Sequence, residues 1–470
     1  MKAPLSPPIR VMKFGGTSLG DPERIRGVGA IVAQAAASNP LVVVVSALAG
    51  TTDDLLRAAT AASLGRTQEW KGLGAAIRER HRQASTELLA PGEAAAVWSR
   101  LDAELQTFSD LCAGISLVGE LPPRAQDSLV SMGEVLAATL VEATLRAAGL
   151  PGQAFDAAQL IVSDDLFGDA QVLFAASRER IRRQLLPVLG EGGVPVVTGF
   201  RAATEEGTTT SLGRGGSDYT ATVLAAALEA EAVWIWTDVD GMMTADPRLA
   251  HSARVIPELS YREAMELAFF GAKVLHPKAL ELPRRLGIPV RIKNSFRPQA
   301  PGTLIGPCRE RPPGVAAIAS TQSAVLFTVG ADESTAFTRL AAMVMGWLDA
   351  DHIPTLMVTQ SSAENVISFA VNARDRRRVA RRLERERGRA ASLGGVALVE
   401  ELAEVGVVVA VGEQMKGTPG VAAHLFGAIA RQRINVVAIA QGSSELSISL
   451  VVGSGDVPTV VRALHQEFEL

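Results

Sequence analysis

The chain predicts an α/β fold: a large N-terminal domain on a largely parallel sheet sandwiched by helices, followed by two small βαββαβ modules. From Val11 to about Ile305, short β-branched runs alternate with Ala- and Leu-rich amphipathic stretches, the pattern of strands joined by crossover helices. Two Pro-rich segments, Arg297–Gly302 and Arg311–Gly314, then interrupt it; proline lacks a backbone N–H and continues neither a helix nor a central strand. Beyond them the segment Gln360–Phe369 (QSSAENVISF) returns as Gln441–Leu450 (QGSSELSISL). That is an internal repeat of about 80 residues, the size of one small domain.

Taken in order, strands are expected at Leu41–Val45, Val194–Thr198 and Ala232–Trp236. Between Asp53 and Arg124 the composition is helical without obvious strands, which predicts a helical insertion beside the sheet. The first domain is placed at 1–305 and the C-terminal pair at 314–470. Within the pair, the first module covers about 322–390 and the second about 400–470. Each repeat copy follows a helical stretch and a strand (Ile353–Val358, Ile434–Ala440) and precedes a second helical stretch, giving βαββαβ. The short strand at 314–320, Ala316–Ala319 in particular, is expected in the sheet of the second module, nesting one module within the other.

Bulk composition narrows the function. At 470 residues the chain should hold two to four domains. With 46 Lys and Arg against 50 Asp and Glu it has no overall field to recruit nucleic acid or an acidic membrane. Cys112 and Cys308 are too few and too far apart for a disulfide framework or a thiolate metal site, so a reducing, cytoplasmic setting is expected. Met1–Pro8 lacks the apolar core of a signal peptide. The apolar runs Leu41–Val45 and Thr220–Trp236 are short or interrupted by Glu229 and Glu231, below the ~20 residues of a spanning helix. The run Arg374–Arg389 holds nine arginines, but Val379 and Leu383 share one face with acids interspersed on the others. That is a solvated surface helix rather than a nucleic-acid site.

Three segments carry chemistry. In Lys13–Ser18 (KFGGTS) a lysine leaves a strand into paired glycines and hydroxyls, with Asp21-Pro22-Glu23 opening a helix. Backbone N–H groups there can approach phosphate oxygens, and the lysine can neutralise charge on a transferred group. No GxxxxGK[ST] loop occurs. In Thr208–Tyr219 (TTTSLGRGGSDY) an arginine and an aspartate join the glycines. Arg214 can clamp a carboxylate bidentately, and Asp218, near a helix start, can orient Lys13 or a magnesium ion. Trp236–Gly241 (WTDVDG) ends a strand in polar residues, where open α/β sheets place ligands. It leads on to Phe270–Pro277 (FGAKVLHP), in which Lys273 is a candidate second cation for phosphate and His276 reads as structural.

Together with Ser46–Thr52 (SALAGTT), these motifs stand in the order found in the aspartate kinase family of the amino-acid kinase fold, and the chain resembles that family from Val11 to Leu470. The resemblance implies transfer of the γ-phosphoryl of ATP, with Mg2+ accompanying the nucleotide, to the side-chain carboxylate of L-aspartate. It implies that Lys13 and Asp218 work on the phosphoryl group. Arg214 and Glu134 would hold the α-carboxylate and α-ammonium of aspartate, and Ser46, Thr52 and Ser217 would complete that pocket. The nucleotide would meet Lys13, Gly15, Gly16, Thr17, Ser18, Thr237, Asp238, Met243, Arg248 and Lys273. At Met243 many relatives carry an aromatic, and a thioether can still pack on a purine. No resident metal site is implied, and a carboxylate nucleophile, already ionised, needs no general base.

The C-terminal half resembles tandem ACT domains, most like those of threonine-sensitive aspartate kinases, including members fused to homoserine dehydrogenase; with the second repeat running to Glu469–Leu470, a type without the dehydrogenase domain is expected. Gln360, Asn435 and Gln441 are the implied effector residues, threonine is favoured over lysine, and a homodimer or homotetramer through the ACT modules is expected. The implied product, 4-phospho-L-aspartate, begins lysine, threonine and methionine biosynthesis. Two other readings stand beside this one. The first is a kinase for acetylglutamate, glutamate, carbamate or UMP. The second is a regulatory protein that binds amino acids through its modules and has an inert kinase half.

Overall fold

The computed structural model describes residues 8–271, 274–307, 314–331, 335–361, 363–393 and 396–470, without the side chains of 388–397. Lys273 and the linker residues 308–313 lie outside the described residues, as do 332–334 of the first module.

In chain order the elements are β1 (Arg10–Phe14), α1 (Pro22–Ala36), β2 (Leu41–Val45), α2 (Thr51–Ser63), α3 (Thr67–Leu88), α4 (Pro91–Val118), α5 (Pro123–Val130), α6 (Met132–Ala147), β3 (Gly152–Phe155), α7 (Phe174–Gly190), β4 (Val194–Thr198), β5 (Arg201–Ala203), β6 (Thr209–Ser211), α8 (Gly216–Leu228), β7 (Ala232–Thr237), β8 (Glu258–Ser260), α9 (Tyr261–Phe270), α10 (Glu281–Leu286), β9 (Val290–Asn294) and β10 (Thr303–Gly306). There follow β11 (Ala317–Ala331), α11 (Phe337–Ala350), β12 (Thr355–Ser361), β13 (Val366–Asn372), α12 (Arg376–Leu393), β14 (Val396–Val411), α13 (Val421–Arg431), β15 (Ala438–Gln441), β16 (Ser447–Gly453) and α14 (Val457–Glu467).

The first sheet has the order β3-β4-β2-β1-β7-β9-β10-β8 among the described residues. From β3 to β9 every neighbour is parallel, and β10 runs antiparallel to β9. All five residues of β2 are buried, as a central strand covered on both faces requires, which explains why a leucine is followed there by an unbroken run of valines. From β1 the chain moves first to β2 on one side and later to β7 on the other. This places a topological switch point at the carboxyl ends of β1 and β7, where open sheets bind ligands. The region expected to be helical is α2 to α5, whose apolar faces join one core with β1, β2 and α6. Among the described residues one stretch, Pro123–Ala147, is long and apolar enough to cross a membrane by composition, and most of it is buried inside the fold.

The chain divides into two compact units, Met1–Met242 with Pro257–Tyr261 and Val274–Pro307, and Met243–Ile256 with Arg262–Lys273 and Cys308–Leu470. Segment 243–256 therefore groups with the second unit although it precedes the Pro-rich linker. The reason is packing: Ala245 and Ala250 lie in one core with α13 and α14. His465 of α14, buried, reaches the Thr244 hydroxyl through Nε2 (2.9 Å) and the Ser252 hydroxyl through Nδ1 (3.2 Å).

In the second unit the strand order is β12-β13-β11-β14-β16-β15 among the described residues. Two long strands are shared. The C-terminal part of β11 pairs with β13 and with the first part of β14, and this module closes over a core of Phe327, Phe369, Leu340 and Val344. The N-terminal part of β11 pairs with the last part of β14 (Ala317↔Val411), which also pairs with β16, over a core that includes Ile318, Val408, Leu425 and Leu450. Each shared strand is thus the first strand of one βαββαβ module and the last of the other, so the nesting expected of Ala316–Ala319 extends to a reciprocal exchange.

Candidate active site

At the end of β1 the Lys13 ammonium meets the Asp218 carboxylate at 2.6 Å, with only 11% and 9% of the two side chains exposed. The chain then turns through a 3-10 segment, Gly16–Leu19, into α1, which Asp21 caps by accepting from the Arg24 N–H. Gly15 N–H donates to the Trp236 carbonyl at the end of β7 (3.0 Å), tying the loop to the switch point. A Cβ on Gly16 would lie 2.9 Å from the Ala47 carbonyl oxygen, so the loop after β2 sits against bare backbone.

That second loop, Ser46–Gly50, leads into α2. Arg80 of α3 braces its far side through the Thr51 hydroxyl (3.2 Å) and the Asp54 carboxylate (3.3 Å). Against it packs the start of α6, where a Cβ on Gly133 would meet that of Ala47 at 2.7 Å. This closeness pushes Glu134 inside. Its Oε2 has no hydrogen-bond partner. Burial drives its carboxyl up to about 8, against the opposing pull of backbone N–H groups at Ala47 and Glu134 and of the charges on Arg201 and Lys13. Arg201 is itself held by a bidentate pair with Asp156 (2.9 and 3.1 Å).

The third wall is the start of α8. Gly213 and Gly215 both have φ of +73°, and Gly215 opens the helix as its N-cap, so Ser217 and Asp218 fall in the first turn at its positive end. The three walls enclose a cavity of about 610 Å3 lined by Lys13, Gly16, Ser46, Thr52, Glu134, Arg214, Ser217 and Asp218. It has the parts of an amino-acid phosphotransfer site: a cation for phosphate, a guanidinium for carboxylate, and a buried carboxyl with one oxygen unpartnered.

The remaining sequence candidates lie elsewhere. Gly15, Thr17 and Ser18 belong to the same turn, but Ser18 is buried with its hydroxyl on that of Ser295 (2.8 Å). Thr237 and Asp238 end β7, where their side chains bond to each other (3.1 Å). Met243 and Arg248 are in the second unit, where Met243 bridges to Val255 and the Arg248 guanidinium, 83% exposed, folds back on Asp246 (2.7 Å). Gln360 on β12, Gln441 on β15 and Asn435 between α13 and β15 are exposed. His276 lies beside Gly215, and its Nδ1 accepts from the Lys278 N–H (3.4 Å).

Several lining residues were not singled out from sequence: Asp53, Asp127, Gly168, Phe200 and Ser211. Asp53 adjoins Thr52 and could have been reached from it. Phe200 adopts φ of +66°, a left-handed conformation strained for a bulky residue, and nothing in its composition announces it.

The amino acid kinase family model matches residues 8–294 and an ACT domain model matches 408–468. Bifunctional aspartokinase/homoserine dehydrogenase 1, chloroplastic, of Arabidopsis thaliana is 32% identical over 98% of this chain and 51% of its own length. The chain thus spans about half the length of the first curated relatives it matches. Aspartokinase 1, chloroplastic, of the same plant is 31% identical over 97% of this chain and 80% of its own. Among solved structures, E. coli aspartokinase III with aspartate and ADP (R-state) superposes with a TM-score of 0.84 at 31% identity, covering 98% of this chain and 100% of that one. The same enzyme with lysine and aspartate (T-state) superposes at 0.78 and 32%, covering 98% and 99%.

Proposed function

Since the chain belongs to the amino acid kinase family, and to the aspartokinases within it, we propose that it transfers the γ-phosphoryl of ATP to the side-chain carboxylate of L-aspartate. The observation that carries this reading is the unpartnered Oε2 of buried Glu134, in a cavity shared with Arg214 and the Lys13–Asp218 pair. A buried carboxylate with an unpartnered oxygen is costly unless a cation arrives, and the α-ammonium of an amino acid is such a cation. Arg214 takes the α-carboxylate, and Ser46, Thr52 and Ser217 supply the polar remainder. The side-chain carboxylate then attacks the γ-phosphorus in line: an O–P bond to aspartate forms as the bond to the β,γ-bridging oxygen breaks, and ADP leaves. No proton moves. Lys13, held in place by Asp218, and the N-terminus of α8 stabilise the charge that spreads over the equatorial oxygens.

Magnesium enters as part of the nucleotide substrate. Gly15 to Ser18, Thr237 and Asp238 are proposed for the nucleotide from their place at the switch point. Met243, Arg248 and Lys273 are proposed from motif likeness alone. The product, 4-phospho-L-aspartate, would feed lysine, threonine and methionine synthesis in the cytoplasm.

Trapping with hydroxylamine tests the reaction, since an acyl phosphate yields a hydroxamate. L-aspartate is expected to give it with magnesium-ATP, and faster turnover of glutamate would sink the assignment. The same assay reads Glu134. In the free enzyme its raised pKa keeps it protonated below about 8, and it must lose that proton to pair with ammonium. Aspartate binding therefore strengthens as pH rises through that value, by up to ~10-fold per unit below it. The KM for aspartate is expected to fall roughly 20-fold between pH 6.5 and 8.5, and to stay flat in Glu134→Gln.

For the second unit the proposal is feedback regulation by a free amino acid, threonine before lysine, in a homodimer or homotetramer. Support comes from Gln360 and Gln441, which stand at equivalent places on β12 and β15, the two outer strands of the sheet, with exposed side chains. A primary amide offers both donor and acceptor to an amino acid, and outer strands are where a second copy can pair. The second module also has a glycine turn before α13, with Gly417 at φ of +67° and Gly420 at +95°, which lets backbone approach a ligand. Threonine is expected to inhibit more strongly than lysine or methionine, and Gln441→Ala to raise the half-inhibiting threonine concentration by roughly 10-fold, the loss of one or two good hydrogen bonds. A flat threonine response, or inhibition by lysine alone, overturns the effector assignment.

A further inference from the structure

The walls of the cavity meet at one carboxylate that takes no part in the chemistry above. Asp127, on α5 and 2% exposed, accepts from the Ser211 hydroxyl at Oδ1 (2.8 Å). At Oδ2 it accepts from the backbone N–H groups of Ser211 (2.8 Å) and Gly168 (2.9 Å). Its own carbonyl accepts from the Ser131 hydroxyl (2.7 Å), at the corner where α5 passes into α6 and Glu134. A single residue thus joins the helix leading to Glu134, the loop at 164–170, and the end of β6 leading to Gly213 and Arg214.

The loop is gripped on its other side as well. Lys278 donates to Asp169 Oδ1 (3.0 Å), and Ala170 N–H donates to the Ser211 carbonyl (2.9 Å). A Cβ on Gly213 would lie 2.5 Å from Asp169 Oδ1, so the loop presses directly on the backbone that presents Arg214. Both oxygens of Asp127 are occupied by protein donors. Burial holds its pKa above the ordinary carboxylate value, against the opposing pull of the three donors.

Glu134 and Arg214 grip the two charged groups on the α-carbon, and side-chain length then decides whether the reacting carboxylate reaches the phosphoryl group at Lys13. A methylene in a pocket is discriminated only roughly 10- to 200-fold by contact alone, so alignment at the reacting atoms has to carry selectivity. We infer that Asp127 is a positioning residue that fixes Arg214 relative to Glu134, and thereby sets the length of amino acid the site phosphorylates. The inference rests on the aspartate kinase reading and names a residue that the motifs do not.

The test measures kcat and KM for aspartate, glutamate and ATP in the unmodified protein and in Asp127→Ala, Asp127→Asn and Ser211→Ala. Asparagine can reproduce the arrangement, its oxygen taking both backbone N–H groups and its amide donating to Ser211, so it separates position from charge. Asp127→Ala is expected to raise the aspartate KM by at least ~10-fold and to shift the glutamate-to-aspartate ratio of kcat/KM by a similar factor toward glutamate, with the ATP KM within about twofold. Asp127→Asn should return both to within about threefold, and Ser211→Ala, with one bond of three lost, should shift the ratio by about threefold. An unmoved ratio, equal losses for ATP and aspartate, or an asparagine variant as impaired as alanine overturns the inference. If the alanine variant does not fold, the ratio in Ser211→Ala decides. If the unmodified protein makes no acyl phosphate from aspartate, the kinase reading fails and takes the inference with it. If aspartate is turned over and the ratio is unmoved, only the inference fails.

Discussion

Lys13→Ala and Asp218→Ala should each lower kcat for aspartate phosphorylation by at least ~100-fold, a loss of about 2.7 kcal/mol of transition-state stabilisation. The two side chains form one device: a lysine at the end of β1 whose ammonium is fixed at 2.6 Å by a carboxylate in the first turn of α8. Removing the lysine takes away the cation proposed to face the transferred group. Removing the aspartate leaves a cation with nothing to aim it. Groups that act as a unit give non-additive losses, so Lys13→Ala/Asp218→Ala is expected to be scarcely worse than the poorer single variant. The double variant is also the fair control for folding, because each single change leaves one mostly buried charge unpaired. Lys13→Arg should not rescue, since a planar fork does not replace a point charge at this depth. Hydroxamate formation under saturating substrates reads all four proteins, and purely additive losses would mean the two residues work separately.

Gly215→Ala should abolish most activity and cost at least ~3 kcal/mol of stability, combining left-handed backbone strain with overpacking. Gly215 has φ of +73°, and a Cβ there would lie 2.2 Å from the Cβ of His276 and 2.9 Å from its Cγ. Neither atom is the free end of a flexible chain, so the start of α8 would have to move, and Arg214, Ser217 and Asp218 with it. This gives His276 a physical role: its ring is packed on the glycine, and burial lowers its pKa. His276→Gly removes both clashing atoms, Cβ and Cγ, without relieving φ. The double variant Gly215→Ala/His276→Gly should therefore recover about 1–2 kcal/mol relative to the sum of the single changes. Thermal melts supply the cycle, and zero coupling would show that the glycine is needed for its backbone angle alone.

The sheet was legible where a strand is a nearly unbroken β-branched or aromatic run, and not at β9, whose Arg291 and Lys293 break the pattern although most of it is buried. Leu41–Val45, Val194–Thr198 and Ala232–Trp236 are written in β-branched and aromatic residues and form β2, β4 and most of β7. The length of β14 was not. Glu400, Glu401 and Glu404 interrupt its apolar pattern, yet pairing with β11 carries the strand through to Val411; tertiary pairing overrides local preference there. The site divides the same way. Lys13, Glu134, Arg214 and Asp218 sit in short segments whose glycines and charges stand out, and the structure brings them to one cavity. Asp127 and Gly168 meet across 41 residues, and Phe200 matters through its backbone angle. Such properties come from long-range packing, which a reading of neighbours along the chain does not reach. Segment 243–256 shows the converse: it lies amid the kinase motifs in sequence, but its alanines and Thr244 are taken up by the core around α14.

The exchange of strands between the two C-terminal modules has a consequence for biosynthesis. Ala317 finds its partner only at Val411, so at ~5–20 residues per second the ribosome holds the first part of β11 without its mate for on the order of 5–20 s. Ala317, Ile318 and Ala319 are almost fully buried in the finished protein, where Ile318 N–H also donates to the Thr244 carbonyl (2.8 Å); the side that faces β14 stays an unpaired apolar edge until then, the kind that invites pairing with another nascent chain. The first sheet, whose last strand in chain order is β10, can be complete before that wait begins. Neither module has a full set of strands of its own, so no early stop between them leaves a finished half. The pair matures as one late event, after both shared strands have left the ribosome.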